Sequence, residues 1–140
     1  MRKGLLTTDR LLSPVTYASF SCDQNCILAS SLDSTLRLID KSNGQLLAEF
    51  KGHTNTQFRI SNCFGRNDAY VIGGSEDGHV YIWDLLEGTV LASLENHQKS
   101  LTAVQYNPKR EELISGSLDG KIGVWIDDNL FSQHMESTKS

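Results

Sequence analysis

Three segments of this chain lie over one another residue for residue: Leu28–Ile39, Ile72–Trp83 and Ile114–Trp125. Each opens on short apolar side chains, passes through small residues to an Asp, and then alternates apolar with polar positions. The aspartates are Asp33, Asp77 and Asp119, spaced 44 and 42 residues apart. Six positions after them stand Ile39, Trp83 and Trp125. Upstream, Gly52-His53 and Asn96-His97 are again 44 residues apart. This period constrains the fold more than any other feature of the sequence. One such unit cannot bury its own apolar face, so units must stack on their neighbours to make a core.

Within each unit the pattern is β. Val71-Ile72 leads into Glu76-Asp77-Gly78, after which Val80 and Ile82 alternate with His79 and Tyr81 up to Trp83. Asp-Gly between two such runs signals a tight hairpin, expected here as a type I′ turn with positive φ at both central residues. Asp119-Gly120 repeats the signal, and Asp33-Ser34 is its weaker form. Gly44 and Gly88 mark a second turn in the first two units, leading to an outer strand. Helical periodicity is confined to Asp84–Leu94, where Gly88 and the place in the repeat favour turn plus strand.

The expected fold is therefore all-β: a partial WD-repeat β-propeller of about three four-stranded blades, not closed, since closed propellers take typically four to eight. Residues 1–14 are read as an outer strand of a preceding blade (Leu5–Thr8) and a linker. Unit 1 (15–50) has strands at Val15–Phe20, Cys26–Ser30, Thr35–Ile39 and Leu46–Phe50. Unit 2 (51–94) has Phe58–Phe64, Tyr70–Gly74, His79–Trp83 and Val90–Leu94. Unit 3 (95–128) has Leu101–Tyr106, Glu112–Ser117 and Lys121–Trp125, with a fourth strand only if Asn129–Phe131 supplies it. The polar stretch 129–140 reads as a flexible tail.

In this repeat a His, a Ser or Thr, an Asp and a Trp form a buried hydrogen-bonded set. The Asp caps its turn, the His bridges Asp and hydroxyl, and the hydroxyl meets the indole N–H. A buried carboxylate is costly unless fully bonded, so the members come together. Unit 3 has all four in His97, Ser115, Asp119 and Trp125. Unit 2 has His53, Asp77 and Trp83 but Gly73 at the hydroxyl position, and unit 1 keeps Asp33 with Ala29 and Ile39 at the others.

His97, Ser115 and Asp119 are also the residue types of a hydrolase triad. The pattern recurs in unit 2 without its serine, and no Gly-x-Ser-x-Gly elbow is present, so the set is read as structural and the chain as no enzyme. No Gly-rich phosphate loop ending in Lys occurs. Cys22, Cys26 and Cys63 are odd in number and form no disulfide framework. They are read as buried reduced thiols, and neither a metal nor another cofactor is expected.

Particular runs carry a family resemblance. Ser30-Ser31-Leu32-Asp33-Ser34-Thr35-Leu36-Arg37-Leu38, Gly44-Gln45-Leu46-Leu47, Lys51-Gly52-His53 and Ser75–Gly88 together resemble the C-terminal blades of the mitogen-activated protein kinase organizer family of WD-repeat proteins. The resemblance covers about Gly4–Trp125. It implies a non-enzymatic scaffold, built in the family as a seven-bladed propeller. It implies partners among components of the extracellular-signal-regulated kinase cascade and of spliceosomal complexes, or a prolyl hydroxylase of the hypoxia response. About four N-terminal blades of the family pattern have no counterpart here. The histone-complex WD subunits, which bind peptides, are a second and poorer match.

Another reading is a substrate receptor of a cullin-type ubiquitin ligase. Many such proteins carry Arg two residues after Trp-Asp, whereas Trp83-Asp84 is followed here by Leu85-Leu86. Thirteen Lys and Arg against seventeen Asp and Glu give a net charge of −4, which disfavours direct nucleic-acid binding. No apolar stretch approaches the length of a membrane span or a signal peptide, so a cytoplasmic and nuclear location is expected. The residue before each turn Asp — Leu32, Glu76 or Leu118 — is a candidate rim contact for partners. Unpaired blade edges at Leu5–Thr8 and Lys121–Trp125 are candidates for self-association by strand addition.

Overall fold

The computed structural model describes Gly4 and residues 13–126. Among these residues the chain forms eleven strands and no helix. They make three antiparallel sheets that are not closed on one another. Sheet 1 is β1 (Val15–Phe20), β2 (Cys26–Ser31), β3 (Thr35–Asp40) and β4 (Leu46–Phe50). Sheet 2 is β5 (Asn62–Gly65), β6 (Tyr70–Gly74), β7 (His79–Asp84) and β8 (Val90–Glu95). Sheet 3 is β9 (Leu101–Asn107), β10 (Glu112–Ser117) and β11 (Ile122–Ile126). Each sheet is a meander of sequential strands, as expected of propeller blades. The Leu5–Thr8 strand, the Asn129–Phe131 run and the tail 129–140 lie outside the described residues.

Alternation along the strands sends one face of each sheet to each neighbour. Leu28, Leu36, Leu38 and Phe50 of sheet 1 pack on Phe64, Val71 and Trp83 of sheet 2. The opposite face of sheet 2, with Ile72, Val80, Ile82, Ala92 and Leu94, packs on Leu101, Val104 and Leu113 of sheet 3. Sheet 2 is thus covered on both sides, and all five residues of β6 are buried. Each large side chain buried this way contributes roughly 1.5–3 kcal/mol. Glycine makes the close approach possible. A Cβ on Gly74 would meet Ile60 at 2.7 Å and Leu101 at 2.8 Å.

Polar stitches cross the same two junctions. Asn62 accepts from Ser19 Oγ at 2.6 Å and donates to Ser30 Oγ at 2.7 Å, tying sheet 2 to sheet 1. Its neighbour Ser61 faces the other way and accepts the Val104 N–H at 2.8 Å. At the end of the sheets carrying the β5–β6 turn, Arg66, Asn67 and Asp68 all have positive φ. This left-handed run aims the Asp68 carboxylate at the backbone N–H of Cys22, 2.9 Å away.

The expected turn chemistry needs one correction. In the Asp-Gly hairpins only the glycine has positive φ, at 89° for Gly78 and 83° for Gly120, and Asp77 and Asp119 do not. Gly78 N–H donates to Ser75 O and Ser75 N–H to His79 O. That is a three-residue loop with a left-handed residue at its end, not a two-residue type I′ turn. The second turn is built alike in sheets 1 and 2. Gly44 and Gly88, at φ 75° and 74°, donate to the carbonyls of Asp40 and Asp84. Asp84–Leu94 is therefore turn plus strand, as the repeat requires.

One strand differs more. β5 begins at Asn62 and not at Phe58, because residues 54–59 form a loop bonded elsewhere. The thiols also differ from expectation: Cys22 is exposed and Cys26 and Cys63 are half-buried.

Candidate functional site

The repeat set is assembled in unit 3. His97 Nε2 lies 2.9 Å from Ser115 Oγ, and Trp125 Nε1 donates to the same oxygen at 3.2 Å. His97 Nδ1 faces Asp119 at 3.2 Å. Asp119 also accepts the N–H groups of Lys121 at 2.8 Å and Gln98 at 3.1 Å. Burial works to raise the Asp119 pKa, but these two N–H groups and His97 outweigh it and hold the carboxyl below its usual range. Gly123 gives the set its room, since a Cβ there would meet Ser115 Oγ at 2.8 Å.

The three residues meet without the surroundings of a nucleophile. Ser115 is buried at 1% exposure and its oxygen already receives the indole N–H. The arrangement orients side chains and bridges the β8–β9 loop to the β10–β11 hairpin.

Unit 2 keeps three of the four residue types but does not hydrogen-bond them to one another. Asp77 accepts the Tyr81 hydroxyl at 2.9 Å and the His79 N–H at 3.0 Å. Trp83 Nε1 donates to the Lys51 carbonyl at 2.9 Å. His53 is left with its ring edge-on to Trp83, 5.1 Å between centroids, and its Nδ1 is buried without a partner. Burial pushes the His53 pKa down to about 4, against the opposing pull of Asp77, Asp33 and Glu76. The indole closes over the backbone at Gly73, where a Cβ would lie 3.2 Å from Trp83 Cζ3.

Unit 1 replaces the histidine by an arginine. Arg37 binds Asp33 at 2.8 Å and Ser31 Oγ at 2.7 Å, and reaches Glu49 at 3.3 Å. Burial opposes ionisation of Asp33, but Arg37 and Ser31 hold its carboxyl below the usual range.

The three rim candidates have different surroundings. Leu32 is half-buried and its N–H donates to the Pro14 carbonyl. Leu118 is 51% exposed. Glu76 turns inward: its carboxylate accepts the backbone N–H groups of Thr56, Gln57 and Phe58 at 3.0, 2.7 and 2.9 Å. Asn55 Nδ2 adds a fourth bond at 3.2 Å. Burial works to raise the Glu76 pKa, and these donors bring it below the ordinary value. The clamp on residues 54–58 left no sequence signal beyond the two extra residues that unit 2 carries there.

A groove of about 650 Å³ runs along β1, β5 and β9, past Tyr17, Ser19, Cys63, Gln105 and Tyr106. Burial pushes the Cys63 thiol up to about 12, which leaves it a poor nucleophile. Among the described residues no group of three or more His, Cys, Asp or Glu could hold a metal ion. Among them, too, no helix is long and apolar enough to cross a membrane.

Known proteins resemble this chain in sequence. A zebrafish (Danio rerio) WD repeat domain-containing protein 83 is 41% identical over 122 residues, covering 87% of this chain and 38% of the relative. The human (Homo sapiens) protein of the same name is 39% identical over 128 residues, covering 91% and 40%. A Dictyostelium discoideum homologue is 36% identical over 125 residues, covering 89% and 38%. The chain thus spans about two fifths of the length of these curated relatives. The family described as "WD domain, G-beta repeat" matches residues 8–40, 44–84 and 88–125. The chain belongs to the WD-repeat family.

Proposed function

We propose that the chain is a non-catalytic scaffold module that binds other proteins through its loops and rims. The observation that carries this reading is the role of the polar residues. His97, Ser115 and Asp119 bond to one another and to backbone, and so fix loops. A rigid frame that presents loops is a protein-binding device.

The resemblance to the kinase organizer family makes extracellular-signal-regulated kinase cascade components and spliceosomal proteins the partners we propose, with action in cytoplasm and nucleus. The relatives named for the WD repeat support the family and carry no partner in their names. The ligase-receptor reading is weaker, because Leu85-Leu86 follow Trp83-Asp84. Affinity capture of the tagged chain from its own cells, read by mass spectrometry, tests the proposal. Enrichment of kinase-cascade or spliceosomal proteins is expected. Enrichment of cullin adaptors alone, or of no protein over a Ser115→Ala, His97→Ala control, would sink it.

A further inference from the structure

Unit 2 carries two residues that unit 3 lacks. From His97 to Tyr106 is nine positions, whereas from His53 to Phe64, at the same register, is eleven. The extra length lies in the β4–β5 loop. Insertions in a repeat fall on loops of one face, often the binding face.

This loop is held as few surface loops are. Thr54 N–H donates to Ser75 Oγ, and Asn55 N–H to Ser34 Oγ at 2.8 Å. The N–H groups of Thr56, Gln57 and Phe58 all end on Glu76. Asn55 Nδ2 reaches the Phe58 carbonyl at 2.7 Å. Five consecutive backbone donors are therefore satisfied inward, by the hairpins of two different sheets. The side chains of Gln57, Phe58 and Arg59 are left exposed, and that of Thr56, also exposed, donates to Glu76 Oε1 at 3.2 Å. The guanidinium of Arg59 lies over the Tyr17 ring of sheet 1, 4.9 Å from its centroid.

Ordering a loop on binding costs affinity, and here that ordering is already done. What the loop shows is an exposed phenylalanine next in sequence to an arginine stacked on a tyrosine, residue types enriched at protein interfaces. An arginine on a ring face keeps its N–H edge for a carboxylate. We propose that Phe58 and Arg59, with Tyr17, form a docking point for a protein segment that places an Asp or Glu next to an apolar side chain, and that Glu76 is the positioning residue that holds it open. This rests on the scaffold reading and gives it a place and a partner chemistry.

Three pools of fluorescein-labelled dodecapeptides test it against the 140-residue chain by fluorescence anisotropy. One pool pairs Leu or Phe with Asp or Glu in a Gly/Ser background. The second replaces the acid by Lys, and the third replaces the apolar residue by Ser. The first pool is expected to bind about tenfold tighter than the others and to weaken as salt rises. Arg59→Glu and Phe58→Ala are each expected to cost about tenfold, while Gln98→Ala on the shorter loop of unit 3 changes nothing. Both side chains are exposed, and a thermal melt of each variant verifies the fold. Equal binding of all pools, binding by none, or binding that survives Arg59→Glu overturns the docking point. Acidic-peptide binding that is lost in Arg59→Glu beside an empty affinity capture would sink the cellular scaffold reading and leave the docking point standing.

Discussion

Units 2 and 3 share a His, an Asp and a Trp at matching positions and use them differently. In unit 3 the four side chains bond in sequence from Asp119 through His97 and Ser115 to Trp125. In unit 2 one missing hydroxyl, at Gly73, reorganises the rest. The indole finds the Lys51 carbonyl, the aspartate finds Tyr81, and His53 is buried with no bond to its Nδ1. A hydrogen-bonded set of this kind behaves as a unit. Removing its centre sends each remaining member to another partner. Unit 2 offsets the loss by packing, with Trp83 fully buried between two sheets.

The largest expected effect breaks unit 3 at its centre. His97→Ala deletes a bridge to Ser115 and Asp119 in a residue only 4% exposed, and should cost about 4 kcal/mol in denaturant unfolding. His53→Phe should cost under about 1 kcal/mol, since no ring hydrogen bond is lost. Equal losses at the two positions would refute the distinction between the units.

Acid sharpens the same contrast. The folded pKa of His53 is pushed down to about 4 from an ordinary 6.5. Above pH 6.5 the ring is neutral folded and unfolded, and its contribution is complete. As pH falls toward 4 the unfolded chain takes up a proton that the folded one refuses, so stability declines across that window. The shift corresponds to about 3 kcal/mol over the window. Melts of the wild type and of His53→Phe from pH 7 to 4 should differ by that slope. Parallel curves would show that His53 is not the group responsible.

Restoring the missing hydroxyl is the next test. Gly73→Ser gives unit 2 the residue types of unit 3, yet its Cβ would lie 3.0 Å from Leu36 Cδ1 and 3.2 Å from Trp83 Cζ3. Overpacking of this kind costs about 2 kcal/mol. A gain in melting temperature would mean that the indole of Trp83 swings back and that the two arrangements are near in energy.

The strands of unit 1 were legible within a residue, because alternation and turn residues are local signals. So were the members of the unit 3 set, whose Asp119 and Trp125 repeat the six-residue spacing of Asp77 and Trp83. The fate of His53 and Asp77 was not, since it depends on Tyr81, an ordinary alternating residue whose hydroxyl happens to lie beside the carboxylate. Nor was the start of β5. Phe58 and Ile60 continue an apolar alternation, but the Glu76 carboxylate, eighteen residues away from Phe58, takes the backbone donors that a strand would need. Asn62 and Ser61, which stitch sheet 2 to both neighbours, read as indifferent polar residues until the sheets stand side by side.

The smallest expected effect falls on that clamp. Glu76→Ala removes a partly exposed carboxylate from three backbone N–H groups, so water can replace much of what is lost, and global stability should fall by only about 1 kcal/mol. The local effect is larger. Hydrogen exchange at Thr56, Gln57 and Phe58 should accelerate well beyond the change that global unfolding accounts for, while Gln98, held by Asp119, stays as it was. Glu76→Gln should fall between, because an amide accepts through one oxygen and loses the charge. The depressed pKa of Glu76 gives the clamp a sign with pH: it is full above the ordinary carboxyl range and is lost as pH falls through the folded value. Protection at these three amides, taken relative to the intrinsic exchange rate at each pH, should therefore fall in acid in the wild type and be already low in Glu76→Ala. If instead the three amides exchange alike in both proteins, the extra residues of unit 2 are ordered by Asn55 and Thr54 alone, and the loop differs from that of unit 3 in length only.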